Sequence, residues 1–153
     1  MNTNPAMTIT SPAFQEGDFI PAKYTGDGQD VNPPLRIEGV PRQAQSLVLI
    51  VDDPDAPMGT WNHWLLWNLD PSMQVIAERS VPVGAEAGTN DFRKREYGGP
   101  MPPSGVHRYF FKVFALDTVL KLSVGSNRAA LDRALEGHVI AQGQLMGRYA
   151  RKR

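Results

Sequence analysis

Two short stretches of this 153-residue chain hold most of its capacity for chemistry. The first is Asp52-Asp53-Pro54-Asp55-Ala56-Pro57, followed by Trp61-Asn62-His63-Trp64. The second runs from Tyr97-Gly98-Gly99-Pro100-Met101-Pro102-Pro103-Ser104-Gly105 into Val106-His107-Arg108-Tyr109. Two of the chain's three histidines therefore stand beside proline- and glycine-rich turns, on apolar alternating runs. A buried imidazole is unfavourable unless it is used or hydrogen-bonded. Imidazolium, tyrosine hydroxyl and loop N–H groups are all donors, so their convergence suits an oxyanion.

The elements that must position these groups read as strands. Residues 46–51 are continuously apolar, as expected of a central strand buried on both faces. Strand parity puts Leu47, Leu49, Val51 and Asp53 on one side and Asp52 on the other. Asp53 then either caps its own turn or orients an imidazole across the sheet and fixes its tautomer. Alternation over residues 61–69 predicts one face made of Trp61, His63, Leu65, Trp67 and Leu69. Over residues 106–116 it predicts a face of His107, Tyr109, Phe111, Val113 and Ala115. Arg108 has the opposite parity and is expected in a structural ion pair with Asp55 or Asp52.

Around this frame, residues 7–10, 21–24 and 35–37 read as further short strands, punctuated by Gly and Pro. Residues 73–99 read as a long loop with isolated strand pieces, and long loops in compact domains are often functional. One helix is expected from an N-cap at Ser126 to about Glu136. Its face would carry Ala130, Leu131, Ala134, Leu135 and His138, with Gly137 interrupting or bending it. Ala141, Gly143, Leu145, Gly147 and Tyr149 alternate in a closing strand. The fold class expected is mainly β: a single domain over residues 1–153, two antiparallel sheets packed as a sandwich, with one or two flanking helices.

Composition narrows the function. Sixteen basic and sixteen acidic residues cancel, leaving no field to attract nucleic acid. The basic tail, Arg148 to Arg153, reads as a solvated end. No apolar stretch reaches the ~20 residues of a membrane span. Residues 1–11 have no signal-peptide pattern, so the cytoplasm is the expected compartment. There is no cysteine, which excludes disulfides and thiolate chemistry. A metal site built from Asp53, His63 and His107 lacks any local HxH or HExxH spacing. Ser104 lies near His107, but no G-x-S-x-G elbow surrounds it. General acid–base work by the Asp/His group stays open. No P-loop or dinucleotide fingerprint is present, since Gly26-Asp27-Gly28 does not continue into a glycine-rich helix start.

Asp53-Pro54-Asp55-Ala56-Pro57, Trp61-Asn62-His63-Trp64 and residues 99–109 together resemble the two signature regions of the phosphatidylethanolamine-binding protein family, most closely its bacterial Raf-kinase-inhibitor-like branch. The similarity extends over nearly the whole chain, through Ser11-Pro12-Ala13-Phe14, Asn32-Pro33-Pro34-Leu35, Asn90-Asp91-Phe92 and Glu136-Gly137-His138-Val139. The resemblance implies a β-sandwich with a small end pocket for phosphate or phosphorylated head groups, lined by Asp53, His63, His107 and Tyr109, with Gly99 shaping its rim. It also implies a cis peptide near the acidic turn, assigned to Ala56-Pro57. It places cysteines of bacterial relatives at Gly26 and Met101, where a link is lost here. The extra C-terminal helix of eukaryotic relatives is not expected. The function expected is a non-enzymatic binding protein needing no cofactor and no metal, with a regulatory, kinase-inhibitor-like role, a protein partner and a homodimer left open. A hydrolase acting on phosphoesters or peptides is the alternative.

Overall fold

The computed structural model describes residues 6–151. Its strands are β1 (Thr8–Thr10), β2 (Leu35–Glu38), β3 (Ser46–Asp53), β4 (Trp61–Leu69), β5 (Val75–Ile76), β6 (Glu86–Ala87), β7 (His107–Leu116) and β8 (Val139–Tyr149). Among the described residues the α-helix is α1 (Arg128–Leu135), between β7 and β8. The strands form two antiparallel sheets, of order β6-β4-β3-β7-β8 and β1-β2-β5. This is the mainly β sandwich expected from the sequence, flanked by one α-helix.

β3 is buried along its whole length, and its alternation divides the core in two. Leu47, Leu49 and Val51 pack between the sheets with Ile9, Leu35, Ile37 and Ile76. Val48 and Ile50 face outward, where Leu131 and Leu135 of α1 cover them. Those two leucines lie four residues apart, the spacing that stacks side chains on one helix face. In β7, Tyr109, Phe111, Val113 and Ala115 all enter the inter-sheet core, as strand parity requires. β8 pairs with β7 from His107↔Tyr149 to Leu116↔Val139. The N-terminal segment crosses β8 so closely that a Cβ at Gly143 would stand 2.2 Å from the Met7 carbonyl oxygen. One at Gly147 would stand 2.6 Å from Ile20. Only glycine leaves that space.

β4 departs from simple alternation. Its register against β3 runs Trp61↔Asp53, Asn62↔Asp52, Trp64↔Val51, Leu65↔Ile50, Leu66↔Leu49 and Leu69↔Leu47. His63 is an extra residue at the first irregularity, and Trp67 and Asn68 stand opposite Val48 at the second. Trp61, His63 and Leu69 keep the expected face. Leu65 and Trp67 are turned instead into the outer cluster beneath α1, while Trp64 and Leu66 fill the inter-sheet core. Asn68 accommodates the second bulge with φ 57°, its side chain bonding both backbone groups of Leu120.

Other expectations are corrected. Residues 22–24 form a single 3₁₀ turn rather than a strand, closed by Tyr24 N–H and Thr25 N–H donating to Pro21 and Ala22. The Thr25 hydroxyl also donates to Ala22. α1 is capped by Asn127, whose side chain accepts from Ala130 N–H at 3.0 Å, while the Ser126 hydroxyl turns back to Ser123. Gly137 at φ 77° ends the chain's helical course, so His138 leaves the helix face and pairs with Asp117 at the start of β8. The Ala56-Pro57 bond is trans, because no cis peptide occurs among the described residues. Lys152 and Arg153 of the basic tail, and residues 1–5 of the N-terminal segment, lie outside the described residues. Within that tail Arg148 stacks on Phe19 and Arg151 approaches Asp27.

Candidate functional site: a small cavity between two histidines

β3 ends in two buried carboxylates pointing to opposite faces. Asp53 does both things open to it. Its Oδ1 accepts the Asp55 N–H at 2.7 Å, closing the turn, and its Oδ2 accepts from His107 Nδ1 at 2.5 Å. His107 opens β7, two residues before Tyr109 on the same face. The bulge in β4 brings His63 to that side. His63 Nδ1–H donates to the Gly98 carbonyl at 2.7 Å, and the His63 carbonyl accepts from Gly98 N–H and from Asn90. The Tyr109 ring meets His63 edge-on at 5.3 Å and stacks beside His107 at 6.4 Å. The Tyr109 hydroxyl is buried and has no hydrogen-bond partner among the described residues.

These four side chains line a cavity of about 230 Å³. Its apolar walls are Trp61, Phe92, Met101 and the prolines of both loops. Phe92 and Met101 were not singled out from the sequence. Phe92 sits in the long loop, and the one signal for it in the sequence was its place in the Asn90-Asp91-Phe92 stretch that carries part of the family resemblance. Asn90 Oδ1 accepts the N–H groups of Phe92 and Lys94, and Asp91 accepts from Asn62, so the Phe92 ring is carried onto His63 and Trp61. Gly99 stands apart from the other expected residues. It does not line this cavity: its N–H donates to Asp30 at 2.7 Å, and a Cβ there would stand 2.4 Å from the Tyr24 carbonyl oxygen. It supports the loop that carries Met101. Gly26 and Met101, where the resemblance puts cysteines of bacterial relatives, are in contact, with no room at Gly26 for a Cβ beside the Met101 sulfur.

Electrostatics follow from these contacts. Burial holds the His63 imidazole below its ordinary proton affinity, opposed in part by the Gly98 carbonyl and by Asp53, Asp52 and Asp91. Burial pushes the Tyr109 phenol far up, helped by Asp53 and Asp55. The hydrogen bonds of Arg108 hold the Asp55 carboxyl down at about 2. Arg108 grips Asp55 bidentately, Nε to Oδ2 at 2.9 Å and Nη2 to Oδ1 at 2.8 Å, on a half-exposed flank rather than in a core. On the outer face Asp52 accepts from Lys112 and Arg128, each at 2.9 Å, and Arg128 also reaches Asn62 Oδ1 at 2.8 Å. Among the described residues no group of three or more His, Asp or Glu side chains is arranged to hold a metal ion, and no helix is long and apolar enough to cross a membrane.

Known proteins share this architecture. The UPF0098 protein of Pyrococcus abyssi is 50% identical over 95% of this chain and 86% of its own length. The solved structure of a phosphatidylethanolamine-binding protein homologue from Chlamydia trachomatis superposes with a TM-score of 0.92 at 43% identity, covering 96% of this chain and 99% of that one. YbcL of E. coli, described as a member of the mammalian PEBP family, gives 0.89 at 30% identity over 95% and 99%. The family model for phosphatidylethanolamine-binding protein matches residues 10–150. The chain belongs to the phosphatidylethanolamine-binding protein family.

Proposed function

We propose that this is a cytoplasmic binding protein whose cavity takes a small anion or a phosphorylated group, gripped through His63, His107 and Tyr109. One observation carries the reading: two imidazoles and an unpartnered phenol converge inside apolar walls, where polar contacts are strongest. The cavity of about 230 Å³ is smaller than the range of about 300–1,000 Å³ for drug-sized ligands, which favours a head group or a free oxyanion. The family name supports a phosphorylated ligand.

The test is NMR of the imidazoles. Inorganic phosphate or phosphoethanolamine is expected to move the His63 and His107 ring resonances, because both imidazoles line the cavity. Silence of both rings at millimolar anion overturns the reading. The 2.5 Å Asp53–His107 pair favours a second reading, since a carboxylate-oriented imidazole can act as general base toward water. Phosphoester turnover abolished by Asp53→Asn or His63→Ala would establish that hydrolase. A regulatory role, in which the cavity docks a phosphorylated partner, predicts loss of that partner on His107→Ala.

A further inference from the structure

The cavity has a shortage of donors that decides which anions it can take. The proton on His63 must sit on Nδ1, because the Gly98 carbonyl facing that nitrogen can only accept. The proton on His107 likewise sits on Nδ1, facing the Asp53 carboxylate. In both rings the nitrogen left for the cavity is Nε2, which donates only when the ring carries a second proton.

The two rings differ in what stands behind them. Asp53 gives an imidazolium at His107 its countercharge at hydrogen-bond distance. His63 hydrogen-bonds no carboxylate; it packs against the Phe92 and Tyr109 rings and the Gly98 segment. The titratable and charged groups around it are Asp53 and Asp52 of β3, Asp91 of the long loop, and His107 and Tyr109 of β7. Burial outweighs the three carboxylates and keeps the ring neutral near neutral pH. His63 therefore offers the cavity a lone pair, beside the Tyr109 hydroxyl and the carboxylate-backed ring of His107.

Resting on the reading of this cavity as an oxyanion site, we infer that His63 is a specificity-determining acceptor: the cavity selects an oxyanion that carries its own proton, such as hydrogenphosphate, over one that carries none, such as sulfate or a phosphodiester. The P–OH donates to His63 Nε2, while a charged oxygen accepts from the Tyr109 hydroxyl and lies beside the His107 ring, whose other nitrogen is held by Asp53. Sulfate near neutral pH would set an oxygen lone pair against the Nε2 lone pair and leave a buried acceptor unpaired. A lipid head group linked as a diester shares the tetrahedral oxyanion but lacks the proton, so the two sources of phosphate are separable.

Calorimetric titrations with inorganic phosphate, sulfate and dimethyl phosphate test this. At about pH 7.5 phosphate is expected to bind roughly 10- to 100-fold tighter than either of the others, the range set by one hydrogen bond gained against one acceptor stranded. Acidification far enough to protonate His63 is expected to narrow the gap over sulfate, because the ring then donates instead of accepting. His63→Gln, whose amide can turn either its oxygen or its NH₂ to the ligand, narrows the gap at about pH 7.5. Equal binding of phosphate and sulfate at neutral pH overturns the inference and leaves the anion site standing. Dimethyl phosphate binding as tightly as phosphate overturns it in favour of a diester ligand. Failure of all three anions to bind overturns the anion site itself, and the inference with it.

Discussion

Asp53→Asn exposes how the cavity is held. Both carboxylate oxygens are engaged, one by Asp55 N–H and the other by His107 Nδ1. Asparagine keeps an oxygen for Asp55 but must turn its NH₂ toward His107. Two donors cannot share that contact, so His107 moves its proton to Nε2 and accepts through Nδ1. A charge-assisted bond worth about 1.5–3 kcal/mol gives way to a neutral one worth about 0.5–1.5. The full loss of about 3–5 kcal/mol that follows an orphaned buried charge does not apply, because the change of tautomer leaves no unpaired charge behind. The expected cost is about 1–2 kcal/mol. For a chain of this size that lowers Tm by about 2–8 °C. Thermal unfolding reads the cost, and ¹⁵N NMR of the ring reads the tautomer. A variant in which His107 still holds its proton on Nδ1, or which melts with the parent, would refute the account of Asp53 as the orienting group.

Two further outcomes follow from the groups around the site. Arg128→Met leaves Asp52 with Lys112 alone and strips Asn62 Oδ1 of its donor, so urea denaturation is expected to register a loss of about 1–3 kcal/mol; a loss within a few tenths of that for an exposed helix substitution such as Arg133→Met would sink it. The Asp55 carboxyl, held down at about 2 against an ordinary 3.8, stabilises the fold above about pH 4, and that contribution is lost as pH falls through about 2. Half exposure of Arg108 limits its size to under about 1 kcal/mol, and acid unfolding of Asp55→Asn compared with the parent should show the parent's extra acid loss and none in the variant.

The sequence reading reached the cavity through strands whose parity runs unbroken. β7 has no irregularity from His107 to Ala115, so its inward face was legible residue by residue. The end of β3 was legible for the same reason: Asp52 and Asp53 differ by one position and so by one face. β4 was legible only at its ends. Two register shifts cancel, restoring Leu69 to the expected side after inverting Leu65 and Trp67. Alternating hydrophobicity cannot mark such shifts where both faces of a strand are apolar. Gly99 was expected at the rim from the resemblance, but a glycine beside a site can serve the ligand or the loop, and only the contacts with Asp30 and Tyr24 show that this one serves the loop. Phe92 and Met101 were missed because a loop's path depends on side-chain bonds such as those of Asn90, which no periodicity encodes.

The bulge at His63 also explains why its chemistry differs from that of His107. An extra residue in β4 has no Cα partner across β3, so no in-register residue of β3 claims it. The long loop makes that claim instead: Gly98 and Asn90 donate to the His63 carbonyl, and the Gly98 carbonyl takes the proton of its ring. Asn62, the residue before it, is held from the outer face by Arg128 and from the loop by Asp91. The acceptor that His63 turns into the cavity is thus set by backbone pairing and by α1, and not by the residue types lining the cavity. His107, inside a regular strand, is held instead by the Asp53 carboxylate. Two identical side chains are therefore held differently, one by a loop carbonyl and the other by a carboxylate, because one sits in register and the other does not, and that difference underlies the selectivity proposed for an oxyanion that carries its own proton.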